Sequence, residues 1–315
     1  MLSTPWSRSF GLRVPILNAP MGGVAGGRLA AAVTAAGGLG MVGMGSVATR
    51  ESLRTQLQYV HGPFGIGLVD WVMRSEEGLL EDALSARPVL LSVSFGTDWS
   101  WVGKAHDAGI ATVTQVYDSV GARRAVDAGV DILVARGSEG GGHGDVKLAT
   151  LPLLDTVLDA VSVPVLAGGG IASPRSLAAV LAAGAGGAWV GTRLAACPEA
   201  LTGDGSRRAL IAARATDTAV TRVFDVAKGL PWPARFPSRV LANDFVARWT
   251  GKEDVLDRSA CEELAAATAA DDRRIAPVDA GQGVEMVSDD ASVDEVIERM
   301  CAGAESLLAG WGRRP

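Results

Sequence analysis

"VPVLAGGGIASPRSLAAVLAAGAGGAWVGTRL", residues 163–194, holds one full strand, loop, helix and second strand. Val163 to Ala167 is too short for a helix and apolar without alternation. It therefore predicts a strand buried on both faces, as in a parallel sheet covered by helices. Three glycines follow, Gly168, Gly169 and Gly170. Ser173 then supplies a helix cap and Pro174 the favoured first-turn proline. The Ala-rich helix stops at Gly184, where a glycine takes the left-handed conformation at little cost. Gly187 to Val190 is the next short apolar run.

The same plan recurs upstream in "LAAAVTAAGGLGMVG", "WVGKAHDAGIATVTQV" and "SVGARRAVDAGVDILVA", with Gly37, Gly109 and Gly129 at the helix ends. Asp118 caps the helix that runs to Asp127. Further strands are predicted at Val14 to Ala19, residues 39–43, Phe64 to Val69, Val89 to Val93, Ile110 to Val116 and Asp131 to Ala135. That makes eight strands by residue 190, mostly separated by helical patterns, and it favours a (β/α)8 TIM barrel over an open doubly wound sheet. After Thr192 the texture changes. Residues 193–275 carry helical patterns, clustered charges and "GLPWPARFPSR", which predicts a helical lid inserted after strand eight. Residues 292–309 read as the displaced last barrel helix, opened by a capping box of Ser292 and Glu295. The barrel is thus assigned to 1–192 and 276–315.

Composition narrows the function. A hydrophobic share of 48% against 20% charged residues gives a sizeable core and argues against disorder. The net charge of −6 disfavours nucleic acid and anionic membranes as partners. Cys197, Cys261 and Cys301 are far apart and form no metal-type pair, so no metal site is expected. With no signal-like or spanning apolar segment, a cytoplasmic protein is expected.

Barrel enzymes hold their sites at the C-terminal ends of the strands. There Gly168, Gly169 and Gly170 lead into a helix N-terminus, and Gly191 and Thr192 follow strand eight. Together they predict a phosphate site. Ala19, Pro20, Met21 and Gly22 in "NAPMGG" end strand one as an open platform suited to a flat aromatic group. "ARGSEGGGHGD", residues 135–145, ends strand six and sets His143 on the same rim. His61 and His106 have no such context. "GMGSVA", residues 43–48, matches a dinucleotide fingerprint, but the eight-fold alternation does not suit a Rossmann domain.

Taken in order, "PILNAPMGGVAGGRLAAAVTAAGGLGMVG", "GSEGGGHGD", the opening stretch and "AGQGVEMV" resemble the nitronate monooxygenase family, formerly the 2-nitropropane dioxygenases. The resemblance spans nearly the whole chain. It implies an FMN-binding barrel that oxidises alkyl nitronates with O2 to a carbonyl compound and nitrite. It further implies His143 as the catalytic residue. The implied cofactor set is Ala19, Pro20, Met21, Gly22, Gln115, Gly141, Gly168, Gly169, Gly170, Gly191, Thr192 and Gln282. The chain departs from the family pattern at Gly140, at Gly144 and at Gly67, where an amide side chain is usual. Two flavin-dependent reductase activities share this framework, enoyl-[acyl carrier protein] reduction and NADH:quinone reduction. They stand as alternatives, as does a flavin-binding protein without catalysis. A small-molecule substrate is expected, and a homodimer is left open.

Overall fold

The computed structural model describes residues 2–311; Met1 and residues 312–315, at the two ends of the segments assigned to the barrel, lie outside it. Eleven strands occur among the described residues. They are β1 (Ile16–Asn18), β2 (Gly40–Met44), β3 (Phe64–Val69), β4 (Leu90–Ser94), β5 (Ala111–Val116), β6 (Ile132–Arg136), β7 (Gly142–His143), β8 (Val165–Gly168), β9 (Gly187–Val190), β10 (Thr218–Thr221) and β11 (Ser238–Leu241). Eight of them, all but β7, β10 and β11, form one parallel sheet in the order β1-β9-β8-β6-β5-β4-β3-β2. The two edge strands meet, so the sheet is a barrel and every predicted barrel strand is present.

The seam between β1 and β2 is closed by a side chain. Backbone pairing there is a single bridge, Leu17 to Leu39. Beyond it the fully buried Asn18 accepts from the Met41 N–H at 2.7 Å and donates through Nδ2 to the Met41 carbonyl at 2.8 Å. An amide carries one donor edge and one acceptor edge, so it replaces a ladder rung that the backbone leaves unmade.

Alternation along the strands sorts the core. Leu17, Met41, Leu90, Val113, Val134, Leu166 and Trp189 point into the barrel, where Trp6 of the N-terminal helix closes the bottom. Their neighbours Ile16, Val42, Leu91, Leu133, Val165, Ala167 and Ala188 face the surrounding helices. Both strand faces are thus buried, which is why the sequence shows continuous apolar runs. Gly37, Gly109, Gly129 and Gly184 all have positive φ, between 72° and 102°. Asp118 and Ser173 cap their helices, and the last helix, Val293–Gly310, opens with the Ser292–Glu295 box.

The segment after β9 contains helices at Asp204–Ala212, Val223–Ala227, Asp244–Trp249 and Arg258–Ala269. It also carries β10 and β11, which the sequence reading did not anticipate. β11 pairs antiparallel with β10 and with β7, in the register Ser238 to His143. The insertion is therefore sewn to the loop after β6. Val278, Ala280, Val284 and Val287 pack with Ala195, Ala196 and Leu210, so the return to the barrel is shared between the two regions. Among the described residues, no helix is long and apolar enough to cross a membrane.

Candidate active site

The loop after β6 is shaped by a charge the sequence reading passed over. Arg136, the last residue of β6, is buried, and its guanidinium donates to the carbonyls of Gly140, Gly141 and Gly142 at 2.8–3.1 Å. A Cβ on Gly140 or Gly144 would lie 2.9 or 2.1 Å from that guanidinium. The glycines thus leave room for the arginine, and the arginine gathers their carbonyls. Burial, the largest influence, pushes the Arg136 guanidinium down from its usual pKa.

Glycines also let several loops interlock. A Cβ on Gly141 would lie 2.6 Å from the Gly281 nitrogen, and one on Gly283 would lie 2.9 Å from the Gly170 carbonyl. The Gln282 N–H donates to the Glu139 carbonyl at 2.8 Å, while the Gly281 N–H donates to Thr192 Oγ1 at 2.9 Å. Glu139 accepts from both the N–H and the hydroxyl of Thr150, whose hydroxyl also lies 3.0 Å from the Gly169 carbonyl. Among the described residues, nothing in the protein takes the N–H groups of Gly169, Gly170, Gly191 and Thr192. Four free donors at the ends of adjacent strands β8 and β9 make a cradle suited to an anion.

The platform after β1 adjoins that cradle. A Cβ on Gly191 would meet Met21 Sδ at 3.6 Å and Ala19 Cβ at 3.7 Å. Pro20 packs so tightly on Gly67 that a Cβ there would lie 2.3 Å from it, which accounts for glycine at this departure from the family pattern. Gly22 touches Gly45 in the same way, so the "GMGSVA" glycines serve backbone approach. Gly168 is buried within β8, while Gly22 and Gln282 are exposed, and the other predicted cofactor residues are half-buried. Gln282 contributes its backbone to the interlocked loops. Gln115 lies in β5, which β6 separates from β8, and accepts a hydrogen bond from the Tyr117 hydroxyl at 3.3 Å.

The His143 side chain is held by two residues, Asp225 and Trp232. Its Nε2 lies 3.0 Å from both carboxylate oxygens of Asp225, in the short helix Val223–Ala227. Trp232 stacks on the imidazole with centroids 3.6 Å apart and planes 6° from parallel. Trp232 Nε1 donates to Ser46 Oγ at 2.9 Å. Trp71, Phe95, Tyr117 and Phe236 continue the aromatic wall, with Trp232 edge-on to Trp71 and Phe95. Arg235 bonds the buried Asp145 at 2.9 Å, two residues beyond the histidine. Burial pushes the Tyr117 phenol well above its usual pKa, so it stays protonated. His106 bonds Asp131 on a helix surface, and His61 is exposed. Burial pushes the Cys197 and Cys301 thiols up to about 12, which leaves them poor nucleophiles.

Asp225 and Ser46 were missed because nothing local marks them. Asp225 lies 82 residues from its partner. Arg136 did carry a signal, being a lone cation at the end of "ILVAR".

Comparison with known proteins shows the family and the fold. The family model described as nitronate monooxygenase matches residues 4–71 and 69–303. A relative from Rhodococcus jostii (strain RHA1), named (3aS,4S,5R,7aS)-5-hydroxy-7a-methyl-1-oxo-octahydro-1H-indene-4-carboxyl-CoA dehydrogenase, is 30% identical over 258 residues, covering 78% of this chain and 67% of that protein. The solved structure of FabK from Thermotoga maritima superposes with a TM-score of 0.85 at 26% identity, over 99% of both chains. The structure of nitroalkane oxidase from Streptomyces ansochromogenes does so with a TM-score of 0.83 at 27% identity, over 97% of this chain and 99% of that one. The fold is a TIM barrel, the protein is an oxidoreductase, and the chain belongs to the nitronate monooxygenase family.

Proposed function

We propose that this enzyme oxidises alkyl nitronates, with FMN as cofactor and O2 as acceptor, to a carbonyl compound and nitrite. The observation that carries the reading is His143, fixed by Asp225 and Trp232 on the rim that also bears four free N–H groups. The cradle fits the single phosphate of FMN: Gly169, Gly170, Gly191 and Thr192 would hold it, and Ala19, Pro20 and Met21 would back the ring. When bound, the flavin supplies the redox chemistry. The chain supplies position, exclusion of water and a proton acceptor.

Residues 193–275 act as the lid in this reading. Trp71, Phe95, Tyr117, Trp232 and Phe236 give an apolar wall for the alkyl part of a substrate. His143 accepts the carbon-bound proton when a neutral nitroalkane enters. As the imidazolium, with a hydrogen on Nδ1 as well, it hydrogen-bonds the nitro oxygens when the substrate arrives already ionised. Reduction by NADH or NADPH is the competing reading, favoured by the dehydrogenase name of the Rhodococcus relative.

Anaerobic mixing of the flavin-loaded enzyme with nitroethane nitronate, propionate-3-nitronate and NADH separates the two. Rapid bleaching of the flavin by a nitronate is expected. Bleaching by NADH alone would replace nitronate oxidation with the reductase reading.

A further inference from the structure

We infer that Asp225 is a positioning residue that fixes the tautomer of His143, so that Nδ1 is the atom that accepts the substrate proton. The inference rests on His143 being the base. Both oxygens of Asp225 lie 3.0 Å from Nε2, and the carboxylate is buried at 5% exposure. Among the described residues, no other side chain is hydrogen-bonded to it.

A carboxylate only accepts hydrogen bonds, so Nε2 must carry the hydrogen. In the neutral ring the remaining lone pair is then on Nδ1. The stack of Trp232 fixes the ring plane, and pairing of Ser238 with His143 fixes the backbone beneath it. Three elements of the segment after β9 thus converge on one residue, two on its ring and one on its backbone.

The step balances simply. Nδ1 takes the proton from the carbon bearing the nitro group, and the C–H electron pair passes into the nitronate. The imidazolium that forms keeps its Nε2 hydrogen against Asp225, whose negative charge stabilises it. Orientation and tautomer are what a carboxylate behind a catalytic histidine supplies.

The test is long-range nitrogen–proton NMR on the flavin-loaded, nitrogen-15-labelled enzyme near neutral pH. The chain has three histidines, so loss of one set of signals in His143→Gln assigns the ring. Expected is a protonated Nε2 with an unprotonated Nδ1. A hydrogen on Nδ1 of the neutral ring, followed upward in pH from neutrality, would overturn the inference. In parallel, Asp225→Asn and Asp225→Ala should lower kcat for a neutral nitroalkane by on the order of 10²–10⁴, with KM nearly unchanged. A pre-formed nitronate should lose far less. Full nitroalkane turnover in both variants would also overturn it. The NMR result does not depend on the substrate, so a failed nitronate assay of the unmodified enzyme counts against the proposed function alone.

Discussion

Gly191→Asp tests the cofactor cradle at the one glycine where charge is separable from strain. Gly191 has a negative φ of −106° and precedes the helix Thr192–Ala195. A Cβ there meets nothing closer than 3.6 Å. Gly169 offers no such test: its φ is +108° and a Cβ would lie 2.9 Å from the Gly137 carbonyl. At Gly191 the new carboxylate enters the space beside Ala19 and Met21, next to the free donors. At a separation of about 5 Å, each pair of like unit charges costs about 1 kcal/mol in water and about 3 kcal/mol at an effective dielectric near 20. Against a phosphate carrying nearly two charges, the total is about 2–6 kcal/mol. FMN affinity should therefore fall roughly 30-fold to 10⁴-fold. The assay is bound flavin per protein by absorbance, FMN titration of the stripped enzyme and thermal unfolding. Gly191→Ala is the steric control and should keep its flavin. A folded Gly191→Asp protein that binds FMN as tightly as the parent would refute the cradle.

Other changes probe the fold and the lid. Asn18→Leu keeps volume but strands the buried N–H and carbonyl of Met41, so unfolding by urea should show a loss of about 2–5 kcal/mol. Trp232→Ala removes the stack on His143 and the bond to Ser46; it should raise KM for bulky substrates and speed proteolysis of residues 222–239, with flavin content unchanged. Asp289 is held well below the usual carboxylate range, first by the hydrogen bond from Arg299 and also by Arg193 at 2.5 Å. A depressed folded pKa stabilises above the unfolded value and is lost as pH falls through the folded one. Asp289→Asn should thus cost about 1–2 kcal/mol at pH 7, discounted for the half-open carboxylate, and the difference should shrink steadily below about pH 4.

The barrel was legible because its physics is local. A strand buried on both faces must read as a short apolar run, and a helix ending in positive φ calls for glycine, as at Gly37, Gly109, Gly129 and Gly184. Gly169 and Gly170, with φ of 108° and 69°, were legible as a glycine turn for the same reason. The sheet of β7, β10 and β11 was not. "TAVT" and "SRVL" are short and half-exposed, and their partner is two residues of a glycine loop. Asn18 and Asp225 act across the fold, through partners that no spacing rule predicts. The stretch "GLPWPARFPSR" was singled out in the sequence, but the stack of its Trp232 on His143 depends on contacts between distant segments.

The most direct test compares His143→Ala on two forms of one substrate. If His143 is the base, loss of the imidazole should cost a neutral nitroalkane on the order of 10²–10⁴ in rate. The pre-formed nitronate has already lost its proton and should be affected much less, through a missing hydrogen bond alone. Equal losses on both forms, with flavin still bound, would contradict the base assignment.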